Sequence, residues 1–161
     1  MITLYHGSNV PIDRIDLSKS SKGKDFGRGF YLNPNYNQAV SMAETKVDLL
    51  EFGLPIVSSF DFDIELAKKD GLNIKVFDDY TEEWAEFIVR NRRNRTEIQA
   101  HQYDIVIGPI ADDKVGLQIR LFAEGNLDVD KLIARIKYYG DKSIQYFFAT
   151  EKSLTYLRKR L

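Results

Sequence analysis

The sequence predicts an α+β domain. Several short β-prone runs, three or four segments whose apolar residues recur every three or four positions, and no strict alternation between the two lead to this class. Regular strand–helix alternation would instead indicate a doubly wound parallel sheet. The 161 residues suit a single domain over residues 1–161, and an apolar fraction of 43% can bury a core that offsets chain entropy.

Ile2 to Tyr5 is β-prone and runs into Gly7-Ser8, predicting a short strand that ends in a tight turn with His6 at its end. Residues 9–25 carry Pro11, Gly23 and a Ser/Lys cluster without periodicity, so a loop with at most one short helix is expected. Phe26-Gly27-Arg28-Gly29 then leads into a strand over Gly29 to Leu32. From Asn35 to Leu50 the residues Tyr36, Ala39, Val40, Ala43, Val47 and Leu50 are spaced as one buried stripe of a helix.

Pro55 to Phe62 and Ile74 to Phe77 have strand character, with a short helix and a Gly-bearing turn over Leu66 to Asn73 between them. Thr81 opens a helix carrying Trp84, Phe87 and Ile88. Tyr103 to Ile110 is β-branched and reads as a central strand followed by an Ala-Asp-Asp turn. Asp128 can cap a helix with Val129, Leu132, Ile133 and Ile136 on one face, interrupted by Tyr139-Gly140-Asp141. Ile144 to Ala149 is a strand that puts Ile144, Tyr146 and Phe148 on one face and Gln145, Phe147 and Ala149 on the other. Thr150 caps a final helix containing Leu154 and Leu157.

Composition narrows the function classes. A net charge of −1 gives no global attraction to nucleic acid or anionic membrane. The chain has no cysteine, which excludes disulfides, thiolate nucleophiles and cysteine-ligated zinc; with only His6 and His101 for imidazole, no metal site is expected. There is neither a basic segment leading into an apolar signal core nor an apolar run near the roughly 20 residues that span a bilayer, so a cytoplasmic protein without membrane contact is expected.

Three segments carry chemistry: Leu4-Tyr5-His6-Gly7-Ser8, then Phe26-Gly27-Arg28-Gly29-Phe30-Tyr31-Leu32 running into Gln38-Ala39, and Gln145-Tyr146-Phe147-Phe148-Ala149-Thr150-Glu151-Lys152. Each alone has ordinary structural explanations. Together, in this order and spacing, the sequence resembles the ADP-ribosyltransferase superfamily of the diphtheria-toxin and PARP type. It more closely resembles a bacterial branch known as a domain of unknown function, DUF3990.

The resemblance implies two packed, mainly antiparallel sheets flanked by helices around an NAD+ cleft. It implies a mono-ADP-ribosyltransferase that uses NAD+ as substrate and modifies a protein or nucleic-acid acceptor. A toxin or phage-defence effector with an antitoxin or immunity partner fits by analogy. An NAD glycohydrolase and a non-catalytic NAD+ or ADP-ribose binding module are the alternatives. Such an enzyme supplies position and electrostatics rather than covalent chemistry, because the bond to nicotinamide breaks with oxocarbenium character.

By the same resemblance His6, Tyr31 and Gln145 are the catalytic positions, with His6, Gly7, Ser8, Gly29, Tyr31 and Met42 holding the dinucleotide. His6 would hydrogen-bond the adenine ribose, the Gly7 backbone would approach the carboxamide, and Ser8 would add a polar contact. Tyr31 would stack on the cationic nicotinamide. Met42, eleven residues after Tyr31, stands where relatives place a residue covering the second ring face. Gln145 occupies the position of a catalytic glutamate in many relatives. A neutral amide can bond the ribose 2′-hydroxyl but offers no charge and no base, which implies slow turnover, mono-transfer or a self-activating acceptor. Ser143, two residues earlier, replaces the acid or amide of arginine-modifying relatives, so arginine is a poor acceptor. The loop Tyr138 to Lys142 would face the acceptor, its tyrosines able to stack on a base or side chain.

Other features have plainer readings. Arg90, Arg92, Arg93 and Arg95 suit a solvated helix C-terminus better than a phosphate patch, and Arg158-Lys159-Arg160 has the same explanation. Asp61, Asp63 and the pair Asp112-Asp113 read as solvent-exposed, and His101 as surface or structural.

Overall fold

The computed structural model describes residues 1–138 and 142–160. Its elements run β1 (Ile2–Ser8), β2 (Phe30–Leu32), α1 (Tyr36–Leu50), β3 (Ile56–Phe62), α2 (Ile64–Lys69), β4 (Ile74–Val76) and α3 (Glu82–Arg93) in the first part of the chain. There follow β5 (Ile105–Pro109), α4 (Asp113–Ala123), α5 (Val129–Tyr138), β6 (Ile144–Phe148), α6 (Glu151–Leu154) and β7 (Leu157–Lys159). A 3-10 turn at Leu17–Lys19 interrupts the long first loop.

The strands form two sheets. One has the order β1-β3-β7 and is antiparallel throughout; the other has the order β2-β6-β5-β4, with β4 and β5 its parallel pair. The architecture is α+β with two mostly antiparallel sheets and helices. Alternation along the strands divides the core. Leu4, Phe60 and Phe62 of the three-stranded sheet meet Phe30, Leu32, Ile105, Ile107 and Phe148 of the four-stranded one. The opposite face of the four-stranded sheet presents Val106 and Phe147 to Trp84, Ile88, Val115, Ile119, Leu132 and Ile136 of the helices. The four-stranded sheet is therefore the middle of three layers, which explains why β5 is buried on both faces and reads as a continuous β-branched run. At about 1.5–3 kcal/mol per fully buried large side chain, these layers provide the main driving force for folding.

Helix starts follow local capping. Asn35 accepts the amides of Asn37 and Gln38, Thr81 that of Trp84, and Asp128 that of Lys131, each at the expected helix start. The stripe expected on α1 is only partly buried: Ala39 and Ala43 are covered, whereas Tyr36 and Leu50 are exposed. The reason is close packing on β1, where a Cβ on Gly7 would lie 2.0 Å from the Ala39 carbonyl oxygen and 2.8 Å from the Ala43 nitrogen. Only small residues permit that approach.

Five expectations are corrected. The first strand does not end at Gly7-Ser8 with His6 at its edge, because His6, Gly7 and Ser8 stay paired with Ser58, Val57 and Ile56. The Ala-Asp-Asp turn is brief, because Asp112 accepts the Val115 amide and starts α4, whose Val115 and Ile119 reach the core. The short helix expected from Leu66 begins at Ile64, because Asp63 caps it by accepting the amides of Glu65 and Leu66. The final helix stops at Leu154 after a Thr150–Ser153 capping box, and Leu157 belongs to β7, paired with Phe62. Arg158-Lys159-Arg160 therefore follows a strand rather than ending a helix; Lys159 donates to the Ile12 carbonyl and Arg160 lies against Asp61.

Candidate functional site

Besides packing face to face, the two sheets are linked by one backbone bridge among the described residues. Tyr5 and Asn33 exchange both backbone hydrogen bonds, at 2.8 and 2.9 Å, and the ladder between β1 and β2 extends no further. Beyond it His6 bridges the gap with its side chain, placing Nδ1 2.8 Å from the Tyr31 carbonyl oxygen. Because a carbonyl only accepts, Nδ1 carries the proton and Nε2 presents its lone pair. The ring stacks on Phe30 at 4.5 Å, and burial, reinforced by nearby Lys46, pushes its pKa down to about 4. His6 is thus a neutral, oriented hydrogen-bond acceptor at the seam between the sheets.

Tyr31 serves the core and the seam together. Its hydroxyl donates to the Gly27 carbonyl at 2.7 Å and accepts the Phe26 amide at 3.1 Å, while its ring packs 4.8 Å from Phe147. Burial holds its pKa well above the ordinary tyrosine value. The loop entering β2 is clamped on several sides. Arg28 pairs with Glu97, the Gly29 amide donates to Ser20 Oγ, and His101 Nε2 donates to the Phe26 carbonyl. A Cβ on Gly29 would strike the Phe147 ring and the Phe148 carbonyl, so this glycine lets β2 seat against β6. His101 is structural, as expected.

Gln145 stands opposite Gly108 on β5, on the same face of β6 as Phe147 and hence as Tyr31. Its Nε2 is buried and has no hydrogen-bond partner among the described residues. That amide has two protons to donate. Ser143 is already engaged: Gln38 of α1 donates to its hydroxyl and accepts from Asn33, tying the entry of β6 to the seam. Of the expected acceptor loop, Tyr139, Gly140 and Asp141 lie outside the described residues.

The remaining expected positions divide. Gly7 gives its space to α1, so its lack of a side chain serves helix packing, while its carbonyl accepts Lys46 Nζ at 2.8 Å. Ser8 is buried and turns the chain by accepting the Val10 amide. Met42 is 54% exposed on α1; one turn later, Lys46 is the residue that reaches His6, with Nζ 3.4 Å from Nε2. Lys24 completes the surroundings, its ammonium 5.0 Å from the Tyr31 ring centroid. Burial pulls the Lys46 pKa down to about 8, helped by Lys24, and lowers that of Lys24.

Lys24 and Lys46 were not singled out from the sequence. The available signal was spacing: Ala39, Ala43, Lys46 and Leu50 share a helix face, and a lysine on a packing face has a reason to be there. The arginine run closes α3 as expected, with Arg90, Arg93 and Arg95 exposed and Arg92 half-buried. Arg92 pairs with Asp25 at 2.7 Å and bonds the Ala111 carbonyl, and Arg93 bonds the Ala123 carbonyl. A wide groove of about 860 Å³ opens between Glu86, Arg90, Ile98 and Phe122, and none of the motif residues lines it. Among the described residues no helix is long and apolar enough to cross a membrane, and no group of three or more His, Cys, Asp or Glu residues could hold a metal.

No curated protein and no solved structure matches this chain. The model of one family does, over residues 2–159, and so includes all three motif segments. The chain belongs to that family, the proteins of unknown function described as DUF3990.

Proposed function

We propose that the protein is an NAD+-dependent mono-ADP-ribosyltransferase acting at the seam between its sheets. The observation that carries this reading is the convergence of three segments distant in sequence. His6 bonds the Tyr31 carbonyl, Tyr31 packs on Phe147, and Gln145 follows on the same sheet face. His6 Nε2, which accepts from Lys46 at 3.4 Å in the free protein, suits a ribose hydroxyl as its donor once that ammonium turns to a ligand, and the unpartnered Gln145 amide suits a ribose oxygen as its acceptor.

In the reaction the bond between nicotinamide and ribose C1 breaks, its electron pair leaving with nicotinamide. An acceptor oxygen or nitrogen bonds C1 and gives up a proton. Protein and nucleic acid are both candidate acceptors, and a toxin or defence effector with an immunity partner is the role proposed by analogy.

Gln145 also favours a second reading, a receptor for NAD+ or ADP-ribose without turnover, because a neutral amide adds no charge to the oxocarbenium ion. Incubation of the protein with labelled NAD+ and cell lysate separates the two. Transferase activity predicts a labelled macromolecule and free nicotinamide. Free nicotinamide without a labelled macromolecule indicates a glycohydrolase. Tight binding with neither product leaves the receptor.

A further inference from the structure

We propose that Lys24 and Lys46 form a cradle beside His6 for the diphosphate of a nucleotide ligand. The two ammonium groups come from different elements, the loop before β2 and the middle of α1, and both act electrostatically on the His6 ring. Lys46 donates to the Gly7 carbonyl at 2.8 Å and to the neutral His6 Nε2 at 3.4 Å, and neither partner balances its charge. Lys24 lies over the Tyr31 ring, and the charge of neighbouring Asp25 acts on it. No ion pair joins either lysine among the described residues.

The carboxylate next to Lys24 is already used. Asp25 accepts Arg92 Nε at 2.7 Å and the Ala111 amide at 3.3 Å. The exposed Lys24 and the half-buried Lys46 repel one another, Asp25 offsets this only at Lys24, and an anion between the two ammoniums relieves it. A diphosphate carries two charges on neighbouring groups and accepts from both ammoniums, whereas a single carboxylate leaves one charge unmatched. The assignment of this diphosphate to NAD+ rests on the preceding reading; the cradle itself does not.

Titration calorimetry on the full chain with inorganic pyrophosphate, ADP and adenosine tests the cradle. Pyrophosphate and ADP are expected to bind, and adenosine far more weakly. Lys24→Met and Lys46→Met should each weaken pyrophosphate roughly tenfold or more, as expected for a hydrogen bond to a charged group. Lys46→Arg should keep most of the affinity, and Lys131→Ala, at an exposed position of α5, should change nothing. Acetic anhydride labelling of the unaltered protein removes any dependence on variants folding: pyrophosphate should protect Lys24 and Lys46 from acetylation.

Absence of pyrophosphate binding, equal binding by the double methionine variant, or absence of protection overturns the proposal. Lysine-dependent pyrophosphate binding by a protein that neither binds nor cleaves NAD+ keeps the cradle and removes the NAD+ reading. NAD+ cleavage at full rate by the double variant keeps the NAD+ reading and removes the assignment of the NAD+ diphosphate to these lysines.

Discussion

His6 Nδ1 and the Tyr31 carbonyl oxygen, 2.8 Å apart, join two motif segments by a side chain where the backbone ladder has stopped. The bond fixes the tautomer, and burial fixes the charge state.

Acid sensitivity follows from this. An unfolded chain protonates His6 below about 6.5, while the folded protein resists protonation until about 4. The folded state binds fewer protons in that interval, so stability falls as pH drops from 6.5 to 4, by on the order of 3 kcal/mol in total. Urea midpoints across this range should show the loss in the unaltered protein and a flatter profile in His6→Asn, whose amide can still donate to Tyr31. Identical profiles would remove His6 as the source.

At Gly7 the prediction is steric. Gly7→Ala places a methyl group against the α1 backbone, with the Ala39 oxygen 2.0 Å away, and neither partner is a flexible side chain. A destabilisation of about 3 kcal/mol is expected, at the upper end for overpacking. Chemical denaturation measures it. A loss of ligand binding without a loss of stability would instead show that the position acts on the ligand directly.

Lys46 should behave in the opposite sense. Its folded pKa, about 8, lies below the unfolded 10.5, so the buried charge costs stability in full below pH 8 and nothing above about 10.5. Lys46→Met should raise stability at pH 7 by about 1–3 kcal/mol, discounted for partial exposure, with the gain fading toward pH 10. Melting temperatures at pH 7 and 10 decide it. A protein that becomes more stable but loses pyrophosphate is one that holds strain at its site.

Gln145→Glu tests the missing charge. A carboxylate at the buried Nε2 position should speed nicotinamide release from NAD+ by tenfold or more if the site is a slow transferase. The gain should increase with pH, because burial raises the carboxyl pKa. Nicotinamide release followed by chromatography reports it, and an unchanged background rate supports the receptor reading.

Features written in local chemistry were the ones legible in the sequence. Asn35 and Thr81 cap their helices through bonds made within three residues, so their positions could be read directly. The α4 helix shows the same grammar in Asp112, Val115 and Ile119, but Gly116 and Gln118 dilute its apolar pattern. By contrast, β7 exists because Leu157 pairs with Phe62, and Leu157 falls three positions after Leu154 just as a helix would place it. The candidate site divides in the same way. His6, Tyr31 and Gln145 are candidates from motif order; the structure bonds His6 to the Tyr31 carbonyl, packs Tyr31 on Phe147 and leaves Gln145 on the same strand face as Phe147. Lys46 reaches His6, and Lys24 the Tyr31 ring, only through tertiary packing of a helix and a loop, which no local periodicity encodes.

The Tyr5–Asn33 bridge has a dynamic consequence. Two backbone hydrogen bonds close it, with no neighbouring backbone rung among the described residues and only the His6 side chain beside it, so the bridge should open more readily than the ladders within the sheets and release both amides to solvent deuterium early. A ligand spanning the seam closes the same gap. Exchange at the Tyr5 and Asn33 amides should therefore slow in proportion to occupancy, which makes this bridge an internal gauge of binding even where no turnover occurs.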